Sequence, residues 1–427
     1  MIDALNFAYE CLSSIYREKS FSSITLNETL NKTSKDDKKL VTKIVYGVLD
    51  KDIELDYIIN KFTSSVKPAI LPIIKIGVYC LKYLSIPDYA LVNECVNLTK
   101  KIGKTGISGF VNAVLKNIAK SIKEEKIEYP KSFDENLSIR YSYPLWAVKM
   151  IINDYGKDEA EKIISFCPTH NLTHIRINKK RINYTNFKEL LEKNNIKYVN
   201  SLLKDAFYVE GMAEKIKSDL YTVQSASSMF VCKSVDLRNE EKLLDVCAAP
   251  GGKSVYLASL VNAEVTACDI HPHRLKLIES YAKRMGETVK VELNDATIYS
   301  AKFESKFDKV LCDVPCSGFG VLESKPDIKL FRTENDIFAL SGLQLKILTN
   351  CSRYVKIGGS LIYSTCTIFK KENEEVIKNF LESTKGFEVE TVIIESNLEK
   401  NLNGYIQFLP YKHEVDGFFI AKLKRIK

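Results

Sequence analysis

The sequence predicts a multidomain chain in three parts: an all-α helical bundle, a small α+β module, and an α/β doubly wound domain. Three observations carry that expectation. Up to about residue 120 apolar side chains recur three and four apart, the helical spacing. Between 132 and 232 helical spacing is mixed with one alternating run, THIRIN. From 233 strand-like and helix-like runs take turns to the end, the pattern of a parallel doubly wound sheet that holds ligands at the carboxyl ends of its strands. At 427 residues the chain exceeds one ordinary core, which supports the division into 1–125, 132–232 and 233–427.

Composition narrows the class. With 45% hydrophobic and 27% charged residues the chain reads as a soluble globular protein, and no apolar run approaches the ~20 residues of a membrane helix. Residues 1–20 have polar residues throughout and carry no hydrophobic signal core. Eleven cysteines, an odd number without framework spacing, suit a reducing cytoplasm. No Cys-x-x-Cys occurs, which argues against a thiol redox protein. The balance of 62 basic to 54 acidic residues gives +8, which permits a polyanionic partner without demanding one.

In the first part Ile2, Leu5, Tyr9, Leu12 and Tyr16 share one helical face, as do Leu40, Val41, Ile44, Val45 and Val48. Segments 55–62, 70–84, 91–100 and 107–118 follow, separated by breaks that hold Pro68, Pro87 and Gly103 to Gly109. Lys100, Lys101 and Lys104 near a helix end fit phosphate contacts and fit dipole complementation equally well. A charged linker, KEEKIEYPKS, leads to the second part, with helices expected at 146–155, 158–166 and 186–194 and a strand at 173–178. His170 and His174 flank that strand with no cysteine or acid spaced for zinc, so no metal is expected.

The third part turns on KLLDVCAAPGGKS, residues 242–254: a short apolar strand, a glycine turn and a helix start. Small residues and glycines let a ligand approach the backbone, and the amides at the helix start favour an electron-rich group. A Walker loop would need glycine where Cys247 stands, and G-x-G-x-x-G is absent. Asp269, ending the next strand, is placed to hold a ribose diol. Further strands are VKVEL, KVLCDV and GSLIYSTC, then a hairpin-like IQFLP and GFFIAKLK. Cys11, Cys80, Cys95, Cys232, Cys268, Cys312 and Cys351 read as small core residues. Cys316 and Cys366 differ, each lying just past a strand in a polar turn, where neighbouring strands would bring both thiols to one pocket.

The words DVCAAPGGKS, DVPCSGFG and YSTCTI resemble those of the RNA 5-methylcytosine methyltransferase family. LVTKIVYGVLD, LDYIIN, IGVYCLKYL, ALVNECVNLTKK and GFVNAVLKNI resemble a NusB-like RNA-binding domain. YSYPLW and RIN are similar to the family's linking RNA-recognition module, and KPDIKL and HEVDGFF to later family words. That order is the order of the bacterial small-subunit ribosomal RNA branch, and it covers nearly the whole chain. The resemblance implies a Rossmann-like domain using S-adenosylmethionine, held by Cys247, Ala248, Ala249, Pro250, Gly251, Gly252, Lys253, Asp269, Asp295 and Asp313. It makes Cys366 the nucleophile and Cys316 the releasing group, with Asp313 and Lys253 completing the catalytic set; residue chemistry alone does not order the two thiols. For Asp295 a turn or cap role competes. Asp313 could donate to the cytosine edge if protonated, or simply orient it. Ser225 stands where the family has an acid, and Glu323-Ser324 where it often has two arginines, which removes two phosphate contacts. The implied partner is 16S ribosomal RNA, free or early in assembly, bound by a cytoplasmic monomer with no membrane and no metal. A transfer RNA methyltransferase and a non-catalytic RNA-binding assembly factor are the alternatives.

Overall fold

The helical spacing of the first part becomes seven helices, α1 (Ile2–Glu18), α2 (Ser22–Lys32), α3 (Lys38–Asp50), α4 (Asp52–Asn60), α5 (Leu71–Tyr83), α6 (Asp88–Lys101) and α7 (Ser108–Lys123). The computed structural model describes residues 2–167, 172–211, 215–392, 394 and 404–427; His170 lies outside the described residues. Leu5, Leu12, Val41, Ile44, Val45 and Val48 are fully buried, as their spacing requires, and each such side chain contributes about 1.5–3 kcal/mol of burial. Helix α5 is buried along most of its length and starts with Pro72 in its first turn, where a missing N–H costs nothing. Its Lys75 is satisfied inside the bundle by Asp52 at 2.7 Å and Asp56 at 2.9 Å.

Three more helices, α8 (Phe133–Arg140), α9 (Leu145–Tyr155) and α10 (Lys157–Ser165), group with this bundle, which also takes in Leu322–Glu334 from far along the chain. The second compact unit comprises Phe166–Val321 and Asn335–Lys427. Its smaller sheet is antiparallel, in the order β2 (Tyr198–Asn200), β3 (Ala206–Val209), β1 (Thr173–Ile177), β4 (Tyr221–Val223). Phe187 and Leu191 of the helix Tyr184–Lys193 cover it, packing with Ile175 and Phe207. His174 is a packing residue, its ring nitrogens 2.5 Å from the Gln224 carbonyl and 2.8 Å from Ser201 Oγ. Ser225, in the acid's place, still caps the helix Ala226–Ser234 by accepting from the Ser228 N–H at 3.3 Å.

The larger sheet contains β5 (Lys242–Asp245), β6 (Glu264–Asp269), β7 (Lys290–Leu293), β8 (Phe307–Asp313), β9 (Val355–Thr365), β10 (Phe387–Val389), β11 (Tyr405–Phe408) and β12 (Phe418–Arg425). Its order is β10-β12-β9-β8-β5-β6-β7, with β11 paired to β12. Strands β5 to β9 are parallel, as expected. The sheet as a whole is mixed, because β12 enters antiparallel beside β9 and brings β10 and β11 with it. The order reverses at β5, which lies between β8 and β6, so the ligand crevice opens at the carboxyl ends of these three strands. Among the described residues no helix is long and apolar enough to cross a membrane.

Candidate active site

Strand β5 ends at Asp245, and the turn after it is closed by its own backbone. The Gly251 N–H donates to the Ala248 carbonyl at 2.7 Å, and Gly251 sits at φ +106°, a conformation that favours glycine. A Cβ there would also lie 3.2 Å from the backbone of Ile278. The Ala248 N–H is spent on the Cys268 carbonyl at 2.8 Å, and the Ala249 carbonyl accepts from Arg274 at 3.0 Å. Two of the loop's amides therefore shape the turn and do not face a ligand. Cys247, Pro250, Gly252 and Lys253 complete the same loop.

At the end of β6, Asp269 is buried and held by the His271 N–H at 3.0 Å and the Arg274 guanidinium at 3.3 Å. Asp295 serves the local turn, its Oδ1 accepting from the Thr297 N–H at 2.8 Å and hydroxyl at 2.7 Å. Of the six buried side-chain polar atoms without a partner among the described residues, two lie at these strand ends: Asp245 Oδ1, at the end of β5, and Asn294 Nδ2, just past β7. Ile270, Leu293 and Ile298 are exposed beside these acids. An open acceptor, an open donor and apolar side chains fit a ligand carrying amino, hydroxyl and flat heteroaromatic groups.

Strands β8 and β9 are neighbours, and their ends bring the predicted chemistry together. Asp313 pairs across the ladder with Ser364, whose hydroxyl donates to Asp313 Oδ1 at 2.7 Å, while Lys253 Nζ meets Oδ2 at 2.7 Å. A hydroxyl and an ammonium thus both donate to Asp313. Burial opposes the Lys253 charge, but Asp313 outweighs it and raises the Lys253 pKa, with Cys366 within the same electrostatic reach. Cys316 Sγ lies 3.2 Å from Cys366 Sγ, and the Cys366 N–H points at Cys316 Sγ at 3.3 Å. Both thiols are half-buried. The hydrogen bond to Cys366, then burial, raise the Cys316 thiol well above its ordinary range, and the two sulfurs share a hydrogen bond in which either can donate. The seven cysteines read as core residues are all buried.

The late glycine-bearing words converge here. The Gly320 N–H donates to the Cys366 carbonyl at 2.9 Å, and the Gly417 N–H to the Gly320 carbonyl at 2.8 Å. A Cβ on Gly320 would fall 1.8 Å from the Gly417 oxygen, so only glycine permits this approach.

The family description "16S rRNA methyltransferase RsmB/F" matches residues 232–424, "NusB family" matches 3–120, and "Methyltr_RsmF/B-like, ferredoxin-like domain" matches 143–214. A probable ribosomal RNA small subunit methyltransferase B of Bacillus subtilis is 34% identical, over 98% of this chain and 98% of its own. This chain belongs to the ribosomal RNA small subunit methyltransferase B family. The Synechocystis member is 31% identical with both chains fully covered. The solved structure of PH0851 shares the fold at a TM-score of 0.84 and 24% identity, covering 100% of this chain and 99% of that one. A methyltransferase homologue from Pyrococcus horikoshii matches at a TM-score of 0.56 and 26% identity, over 69% and 99%. As a member of this family the chain is an S-adenosylmethionine-dependent RNA methyltransferase.

Sequence reasoning missed Arg274, Ser364, Gln344 and Glu372, all of which touch the predicted residues or their turns. Asp245 also acquires a property no motif announces. Its carboxyl is buried at 1% exposure, and burial pushes its pKa up to about 7, against the 2.6 Å bond from Ser254. Its folded pKa lies above the unfolded value, so the folded state binds the extra proton between the two. Stability from this group is full below about pH 4 and is lost as pH rises to about 7, at ~1.4 kcal/mol per pH unit. Asp245→Asn is expected to flatten that slope, losing about 2–3 kcal/mol less than wild type between pH 5 and pH 8 in denaturant titrations of the full chain. Equal losses in the two proteins would show that Asp245 is ionised throughout.

Proposed function

We propose that this methyltransferase modifies carbon 5 of a cytosine in 16S ribosomal RNA through a covalent adduct on Cys366. The observation that carries the reading is the 3.2 Å approach of two half-buried thiols beside the Lys253–Asp313 pair. When bound, S-adenosylmethionine supplies the electrophilic methyl group. Carbon 5 of cytosine is too weak a nucleophile to accept it unaided. Lys253 and the Cys316 S–H favour the thiolate at Cys366, which adds to carbon 6 and leaves an enamine with electron density on carbon 5. After methyl transfer Cys316, having released its own proton to solvent, takes the carbon-5 proton as a thiolate, the carbon 5–carbon 6 double bond re-forms and Cys366 is expelled as a thiolate. Asp313 accepts from the cytosine amino group, and Asp269, with Asp295, Asn294 and the loop from Cys247 to Lys253, holds the cofactor.

The 1–125, 132–232 and 233–427 parts are then an RNA-binding bundle, a linking module and the catalytic domain. The enzyme acts as a cytoplasmic monomer without a metal. A cytosine must leave its stack to reach a pocket at strand ends, so free or early-assembly RNA with an accessible loop is the substrate. Labelled methyl transfer to unmodified 16S RNA, to transfer RNA and to small-subunit particles tests this. Label on carbon 5 of one 16S cytosine is expected. Label on transfer RNA alone would replace the substrate, and label on neither, with cofactor bound, would favour an RNA-binding assembly factor.

A further inference from the structure

The turns that carry Cys316 and Cys366 are held by a buried carboxylate that the reaction itself does not use. Glu372 is wholly buried, and its side-chain partners are all neutral. Its Oε1 accepts from the Ser317 N–H at 2.8 Å and from Gln344 Nε2 at 2.9 Å, and its Oε2 from the Ser317 hydroxyl at 2.5 Å. Gln344 Nε2 also reaches the Pro315 carbonyl at 2.9 Å, so both neighbours of Cys316 are tied to one hub. Ser317 Oγ lies 2.9 Å from Thr367 Oγ1. The next residue, Asn373, completes the grip on the other thiol's turn: Oδ1 accepts from the Thr365 hydroxyl at 2.5 Å, and Nδ2 donates to the Thr367 carbonyl at 3.0 Å. Both neighbours of Cys366 are thus fixed as well. The Tyr363 hydroxyl donates to the Glu372 carbonyl at 2.5 Å and anchors the hub to β9.

A buried acid without a cation is costly, and burial raises the Glu372 pKa even against three hydrogen bonds. Three neutral donors converge on this side chain, and a carboxylate offers two acceptor oxygens to all three at once.

We propose that Glu372 is a positioning residue that sets the reach of Cys316 to the cytosine adduct, acting on product release and not on adduct formation. This rests on the reading of Cys366 as nucleophile and Cys316 as releasing thiol. The Glu372→Gln side chain keeps the shape and an oxygen for the Ser317 N–H and Gln344 amide, but puts a donor opposite the Ser317 hydroxyl and removes the charge, so that hydroxyl must reverse its bond and the Cys316 turn loses part of its hold.

The test is single- and multiple-turnover methylation of unmodified 16S RNA by wild type, Glu372→Gln, Ser317→Ala and Cys316→Ala, with the denaturant-stable protein–RNA adduct quantified on gels. Glu372→Gln is expected to lower kcat about 10–100-fold with KM for RNA and cofactor affinity within about threefold of wild type, and to accumulate adduct. Ser317→Ala, which removes the hydroxyl's contacts to Glu372 and Thr367 but keeps the carboxylate and its bond from the Ser317 N–H, should show the same accumulation to a smaller degree. A fall in kcat without adduct, or normal turnover in Glu372→Gln, overturns the proposal; if that variant does not fold, absence of adduct in Ser317→Ala does so. The Cys316→Ala control separates the two readings, since no adduct there means that the thiol roles themselves are wrong.

Discussion

Cys366→Ala is expected to abolish methyl transfer, by about 10⁴-fold or more, while Cys316→Ala forms a stable protein–RNA adduct and stops. The asymmetry follows from what each thiol does. Without Cys366 nothing adds to carbon 6, and carbon 5 never becomes nucleophilic enough to take the methyl group. Without Cys316 addition and transfer still proceed, but the carbon-5 proton has no base within reach and Cys366 cannot leave. The two sulfurs stand 3.2 Å apart, close enough for both to reach carbons 5 and 6 of one cytosine, so the adduct reads which of them adds and which releases. Gel analysis under denaturing conditions with labelled RNA reads both outcomes, and the double variant should give neither product nor adduct. An adduct in Cys366→Ala and none in Cys316→Ala would exchange the two roles.

The thiols were legible in the sequence because each follows a strand and sits among Pro, Ser, Thr and Gly, a place where a merely hydrophobic cysteine gains nothing. Their order was not: it comes from the family resemblance, and the turns 50 residues apart bring the two sulfurs together in a hydrogen bond that either can donate. Lys253 and Asp313 were legible as neighbours of the cofactor loop and of Cys316; that they pair directly needed the sheet, which sets β5 beside β8. Glu372 was invisible for a physical reason. It lies in KKENEE, where charge density reads as a solvated face, and only the folded turns supply the donors that let a carboxylate be buried. The helical bundle was read correctly at the level of faces, because packing follows spacing. Local spacing says nothing, however, of the distant segment that packs into it.

That segment gives the second large effect. Leu322–Glu334 groups with the helical unit, and Lys329 on its single helical turn is only 3% exposed. Its ammonium donates to the Asp50 carbonyl and to Asp50 Oδ1, both at 2.7 Å, and lies 5.2 Å from the centre of the Tyr143 ring. Asp327, two residues earlier, accepts from the Ser22 hydroxyl. Burial lowers the Lys329 pKa and Asp50, with a smaller contribution from Asp52, works against that, so Asp50 is the cation's main support. Asp50→Ala therefore strands a buried ammonium and is expected to cost about 3 kcal/mol. Lys329→Met removes the charge that needed solvating, while Asp50, 41% exposed at its side chain, keeps water and Lys51 at 3.0 Å; its cost should stay within about 1 kcal/mol. The double variant should recover most of the loss, because the stranded charge is gone. Trp146, the chain's single tryptophan, lies in α9 of the same unit, so its fluorescence during denaturant unfolding of the full chain reports the right transition. A larger loss for Lys329→Met than for Asp50→Ala would mean that the packing of the lysine stem, and not its charge, holds the segment in place.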